Sequence, residues 1–337
     1  MKKNAACPPL PSRTRKKRRL VNPETLPAPT LDGSCFVVSS AERARLEVQL
    51  GLTSMGLLRA LLSRALSRSV CPISHFRCGA AGLGSSGAIY LGTNLEFNAA
   101  GRPLSETVHA EQFVTASAVS HGEASLTAIA VTAMPCGHCR QFLQELPAAA
   151  AMRIVVPKCS SSSSSSSSSI SDDGDAVQYD GTLGTLLPHA FGPTSLGKGC
   201  VDAAVRTPLA LVADDDAPSS ALIAAALAAA ERSHAPYSSG QAGVALRTRD
   251  GTLFVGGVIE SAAFNPTLGP MQAALIAMHS RGVAWSDVVE GALVEVETGG
   301  RGHALRFADS TRALFAAVAA RDSRFAVHAA EVMVEAV

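Results

Sequence analysis

Four residues in this sequence have the types and spacing of a metal site with a proton carrier beside it. His109 and Glu111 stand two apart in T-V-H-A-E-Q, and Cys136 and Cys139 three apart in P-C-G-H-C. Three residues is close to one helical turn, so both sulfurs project from one side of a helix and can share an ion. A helix N-terminus favours anions, which helps keep both thiols as thiolates. With His109 they make three nitrogen and sulfur ligands and leave a fourth tetrahedral position open, the arrangement of catalytic rather than structural zinc. Zinc in such a site lowers the pKa of water to roughly 7, and Glu111 is placed to act as general acid and base. His138 lies between the two cysteines. A fourth protein ligand would close the site, so it is not counted among the ligands.

These residues need elements to hold them. Residues 79–83 and 88–91 read as two short strands around a Gly/Ser turn. Thr107 is expected to cap a helix that carries His109 and Glu111. Residues 126–132 are apolar and β-branched, suited to a buried strand, and residues 139–146 read as a helix after Pro135. The Ala-rich run 221–230 reads as a buried helix. Strands alternating with helices suggest a sheet covered on its faces. Gly82-Leu83-Gly84-Ser85-Ser86-Gly87 fits the dinucleotide fingerprint G-x-G-x-x-G, but the strand-like A-I-Y-L follows where a helix would have to open, so it is read as a hairpin turn.

The chain also repeats itself. P-I-S-H-F-R-C-G-A at residues 72–80 aligns with P-Y-S-S-G-Q-A-G-V at 236–244, and the same offset sets Glu96 opposite Glu260. Further on, Gly269 falls opposite His109 and Met271 opposite Glu111. The second copy is therefore expected to lack the chemistry and to be structural. A serine run at residues 160–169 separates the copies and is expected to be a flexible loop. Arg13, Arg15, Lys16, Lys17, Arg18 and Arg19 form a basic block among prolines. It is expected to be a disordered tail, with nuclear import as an alternative reading.

H-x-E followed by P-C-x-x-C is the pattern of zinc-dependent nucleobase deaminases. The sequence resembles the cytidine deaminases of the two-domain, dimeric type, over residues 72–146 and more weakly over 187–193 and 235–278. T-V-H-A-E-Q and P-C-G-H-C-R-Q-F-L-Q-E-L are similar to the family's own segments almost residue for residue. The resemblance implies an α/β fold, a three-layer α/β/α sandwich that is duplicated, with a degenerate second copy. It implies Zn2+ on His109, Cys136 and Cys139, with Glu111 shuttling protons while cytidine or deoxycytidine becomes uridine or deoxyuridine in pyrimidine salvage. Asn94 and Glu96, in N-L-E, would grip the ribose hydroxyl; Phe76 would stack on the ring, and the backbone of Ala110 would sit against the base. Phe191 in H-A-F-G-P and Phe264 in A-A-F-N-P would close the pocket of the partner subunit in a homodimer. Arg77-Cys78 departs from the family's usual continuation after Phe76. The implied domains are a tail at 1–30, a catalytic domain at 31–157, a linker at 158–216 and the degenerate domain at 217–337.

Composition agrees with this reading and weighs against others. The net charge is +1 over 337 residues and there is a single tryptophan. A dedicated nucleic-acid binder carries a basic face and stacking aromatics instead, so no nucleic-acid partner is expected. No apolar run has the ~20 residues that span a bilayer, so no membrane partner is expected. No secretory signal is read after Lys2 and Lys3, which points to the cytoplasm. Two alternatives remain open at this stage: a deaminase of single-stranded nucleic acid, and a non-catalytic dimer that binds zinc or nucleosides.

Overall fold

A computed structural model of the chain describes residues 36–97, 106–158, 177–212, 221–296 and 306–333. The basic block and the serine run lie outside the described residues. The described residues form two sheets. The first has the order β1-β3-β2-β4-β5-β6, formed by β1 (Val37–Val38), β2 (Gly79–Gly84), β3 (Ile89–Thr93), β4 (Leu126–Val131), β5 (Arg153–Pro157) and β6 (Val177–Thr182). The second has the order β7-β11-β10-β8-β9, formed by β7 (Leu209–Leu211), β8 (Ala242–Thr248), β9 (Leu253–Gly257), β10 (Val288–Val296) and β11 (Arg324–Val332). Four strands of each sheet correspond: β3-β2-β4-β5 and β9-β8-β10-β11. In each set the first two pairings are antiparallel and the last is parallel. The internal repeat is thus a duplicated fold. The segment read as a linker shares in both sheets, since β6 pairs with β5 and β7 with β11.

Period-2 alternation sorts the strand residues onto two faces. Ala81, Leu91, Ala128 and Ala130 pack with Leu57, Leu58, Leu61, Leu62 and Ala65, all on α2 (Ser54–Ser67). Ala80, Tyr90, Ile129 and Val131 pack on the other side with Ala110, Val114 and Ala118, on α3 (Ala110–Ser120). Thr53 starts α2 by accepting from Gly56 N at 3.1 Å, and each fully buried leucine there contributes about 1.5–3 kcal/mol. The second copy repeats the sandwich. Ala245, Ala292 and Val294 meet α6 (Ala221–Glu231), whereas Val244, Leu246 and Leu293 meet the face of α7 (Pro270–Ser280). Both copies are three-layered.

The helices α3 and α7 also pack on each other, which explains why α3 is buried at every position from Ala110 to Ala118 and shows no polar face. Phe36 stacks on Phe113 at 5.0 Å, and His279 lies 5.6 Å from Phe36 and 6.0 Å from Trp285. One hydrophobic core runs through both units. Among the described residues no helix is long and apolar enough to cross a membrane.

Candidate active site

Two helix starts carry the chemistry. His109, not Thr107, is the N-cap of α3. Its backbone N–H donates to Gln112 Oε1 at 3.0 Å, the half of a capping box in which the third helical residue reaches back to the cap. The helix after Pro135 is shorter and earlier than expected: α4 is Gly137–Phe142, with Cys136 as N-cap, and its last turn tightens into a 3-10 turn over Leu143–Glu145. The Cys136 sulfur accepts from Cys139 N at 3.5 Å. The start of α3 comes close to β3 because Gly92 has no side chain; a Cβ there would meet the Ala110 carbonyl and lie 2.8 Å from Val114 N.

Folding brings the predicted ligands together. His109 Nδ1 lies 3.5 Å from Cys136 Sγ and 3.2 Å from Cys139 Sγ, and the two sulfurs are 3.6 Å apart. A tetrahedral ion with Zn–S near 2.3 Å and Zn–N near 2.0–2.1 Å requires ligand separations of roughly 3.5–3.8 Å. Two of the three meet this and His109 to Cys139, at 3.2 Å, needs only a small outward shift, so the donor set fits zinc. His138 stands at the rim, with a ring nitrogen within 4.8 Å of the other donors. Its Nε2 is taken up by the Asn265 carbonyl at 3.1 Å, and its buried Nδ1 has no hydrogen-bond partner among the described residues.

Charge at the site follows from burial and contact. The hydrogen bond from the Cys139 thiol, with that from His109, brings the Cys136 thiol down to about 3. Cys139 is pushed well up by the same bond and by burial, and Cys136 raises His109. Glu111 is 4% exposed. Burial raises its carboxyl above the ordinary glutamate value, against the neighbouring Cys139 thiol and the charge of His109. Cys78, an unused residue in the sequence reading, has its thiol pushed up to about 12 by burial and by Glu111; it is an uncharged neighbour of the site.

The predicted substrate residues fall around this centre. Asn94 donates from Nδ2 to Phe76 O at 2.7 Å and accepts at Oδ1 from Cys78 N at 2.9 Å. Glu96 accepts from Ile73 N at 2.9 Å and Ser74 N at 3.0 Å, and from the Ser74 hydroxyl. Both side chains therefore brace the loop that presents Phe76, whose ring is exposed. Ala110 is buried at the first position of α3. Phe191 and Phe264 are exposed and lie near α4 of the same chain: Phe191 O accepts from Gln141 Nε2 at 2.9 Å, and the carbonyl of Asn265, the residue after Phe264, accepts from His138. Glu145 escaped the sequence reading. It is fully buried at the end of the zinc-site helix and accepts from Tyr237 Oη at 2.7 Å and Ala262 N at 2.7 Å.

Comparison with known proteins agrees with this geometry. Two family models described as the cytidine and deoxycytidylate deaminase zinc-binding region match, one over residues 57–156 and the other over residues 183–304. The chain is 41% identical over 271 residues to a cytidine deaminase of Cronobacter sakazakii, covering 80% of this chain and 83% of that one. It is 40% identical over 280 residues to cytidine deaminase 1 of Arabidopsis thaliana, covering 79% and 90%. A cytidine deaminase of Sodalis glossinidius is 39% identical over 279 residues, covering 80% and 84%.

Proposed function

The chain belongs to the cytidine deaminase family and is a zinc-dependent hydrolytic deaminase, and from that premise we propose that it converts free cytidine and deoxycytidine to uridine and deoxyuridine, with Glu111 as the proton carrier. The observation that carries the reading is the packing of His109, Cys136 and Cys139 at ligand distances with a buried carboxyl, Glu111, against the Cys139 thiol. When bound, zinc supplies the Lewis acid that makes water nucleophilic at neutral pH. Glu111 takes one proton from the attacking water and gives it to the ring nitrogen, then takes the remaining proton of the new ring hydroxyl and gives it to the amine, so the C–N bond breaks, ammonia leaves and the carbonyl forms. Burial suits this task, because a carboxyl with a raised pKa both accepts and returns a proton.

Around the base, Phe76 stacks on the ring and the Ala110 backbone sits against it. Asn94 and Glu96 hold the ribose 3′-hydroxyl; a carboxylate offers about four lone-pair sites, so the three donors that reach Glu96 leave room for one more. Phe191 and Phe264 close the pocket of the partner subunit in a homodimer. The catalytic domain is centred on residues 31–157 and the degenerate one on 217–337, and the segment 158–216 between them lends β6 to the first sheet and β7 to the second. A cytoplasmic, reducing setting suits the free thiols of the site.

The test is the fall in ultraviolet absorbance when purified, zinc-loaded protein meets cytidine. Glu111→Ala is expected to lower turnover by at least about 100-fold while zinc content and fold persist. Turnover surviving in that variant would remove Glu111 from the mechanism. A zinc-loaded wild type inert toward both nucleosides would remove the reading itself.

A further inference from the structure

Three hydrogen bonds leave the metal-bearing elements of the first unit and end on one short loop of the second, residues 261–267. Gln112 holds the backbone of His109 with its Oε1 and donates from Nε2 to Pro266 O at 3.0 Å. His138, between the two cysteine ligands, bonds Asn265 O at 3.1 Å; a carbonyl only accepts, so Nε2 carries the proton. Glu145, six residues beyond Cys139, accepts from Ala262 N at 2.7 Å. The same carboxylate takes Tyr237 Oη at 2.7 Å and His234 Nε2 at 3.2 Å, so it is fixed to the second unit from two sides.

The loop they meet is stiff. Ser261 N donates to Thr267 Oγ1 at 3.2 Å, Phe264 N to Ser261 O at 2.8 Å and Thr267 N to Phe264 O at 2.9 Å. Phe264 is held at φ +61°, a conformation that persists only where the surroundings impose it. His109 and Cys136 are 27 residues apart in sequence, and the elements that carry them meet through a shared core of Ala110, Val114 and Leu143 and through loop 261–267. A rigid body that touches both restrains their spacing beyond what that core does.

We infer that loop 261–267 is a template for the metal centre of its own chain, and that Glu145 is the positioning residue that anchors it there. This rests on the zinc-deaminase reading, and gives the degenerate unit a task inside its own subunit: holding the imidazole-bearing helix and the cysteine-bearing turn in register. Partners outside the ligand set tune metal affinity by about 10–100-fold, and a buried carboxylate with three donors is well suited to that role.

The experiment is release of zinc from the loaded full-length chain to an excess of chelator, followed by a chelator colour change. Glu145→Ala is expected to release zinc about tenfold faster than wild type. Glu145→Gln, which keeps an oxygen for the Ala262 N–H, should bring the rate most of the way back. Glu123→Ala serves as the structural control. It removes a different buried carboxylate of the first unit, one that does not touch the loop, and should release zinc at the wild-type rate. Wild-type release from Glu145→Ala, or equal acceleration by Glu123→Ala, overturns the inference. If Glu145→Ala fails to fold, Tyr237→Phe replaces it; release two- to threefold faster supports the template, and an unchanged rate overturns it. A wild type that holds zinc and deaminates cytidine while its Glu145 variants behave normally sinks this inference alone. A wild type without zinc or turnover sinks the deaminase reading beneath it.

Discussion

The loop carrying Phe76 is pinned on both sides of the residue while its ring is left outside. Phe76 N donates to the Ser74 hydroxyl at 3.0 Å, Phe76 O accepts from Asn94, and the side chain is 59% exposed. A phenyl ring held in place yet unburied contributes little to folding and is available to a planar ligand. Phe76→Ala is therefore expected to change unfolding free energy by less than about 0.5 kcal/mol. It should raise KM for cytidine roughly tenfold, in keeping with the 1–3 kcal/mol of a base–aromatic stack. Urea unfolding and steady-state kinetics check it together, and lost stability with an unchanged KM would make Phe76 a packing residue. At this scale the sequence was readable wherever chemistry restricts the residue type. His109, Glu111, Cys136 and Cys139 are such positions, since few side chains bind zinc or carry a proton. Gln112 and Glu145 are not: their decisive partners, Pro266 and Ala262, lie 154 and 117 residues away, and no local spacing announces them.

Among the elements, the hairpin of β2 and β3 shows how a misleading motif resolves. The Gly/Ser run forms the turn, with Gly87 at φ +85°, and its hydroxyls converge on one carboxylate. Glu123 accepts from Ser85 Oγ at 2.7 Å, from Ser86 N at 3.1 Å, from Ser86 Oγ at 2.5 Å and from Tyr90 Oη at 3.1 Å. Burial by itself would raise this carboxyl, but the Ser86 and Ser85 hydroxyls, the Ser86 N–H and Tyr90 outweigh it and hold its pKa below the ordinary value. A carboxyl depressed in the folded state adds stability that is complete above the unfolded value, near 4.3, and is lost as pH falls through the lower folded one. Glu123→Gln is thus expected to cost about 1–2 kcal/mol at pH 7, and the gap to wild type should close as the pH drops below about 4. Unfolding curves from pH 7 to 3 measure it, and a gap that stays constant would mean the carboxyl is not held ionised. The strands of this hairpin were visible from alternation and turn residues. The helix starts were less so, because His109 and Cys136 are unusual caps: each is placed by the metal site as much as by its helix.

Across the whole molecule the duplication acts as an internal control on what each residue is for. Bridges Val70–Leu95 and Leu95–Val108 recur as His234–Ile259 and Ile259–Leu268, so the loop between α2 and β2 and the approach to α3 are rebuilt in the second unit. The metal ligands are not, with Gly269 as the N-cap of α7 in place of His109. The sequence already sets Glu260 opposite Glu96 while the second copy is expected to lack the chemistry, and the structure shows what Glu260 does there. It accepts from Tyr237 N at 3.0 Å, Ser238 N at 3.3 Å and the Ser238 hydroxyl, repeating bond for bond what Glu96 does with Ile73 and Ser74. A feature retained without a metal site is kept for folding, so bracing the loop is the shared role and any hold on ribose is an addition in the first unit. Each charged acceptor serves two backbone donors and a hydroxyl, and bonds to a charged acceptor are worth more than neutral ones. Glu96→Gln and Glu260→Gln should therefore each cost about 1–2 kcal/mol of unfolding free energy. Glu96→Gln should also raise KM for cytidine, and by more than Glu260→Gln at matched stability. Denaturant unfolding with kinetics on both variants separates the two roles, and an equal rise in KM would show that Glu96 acts through the loop alone.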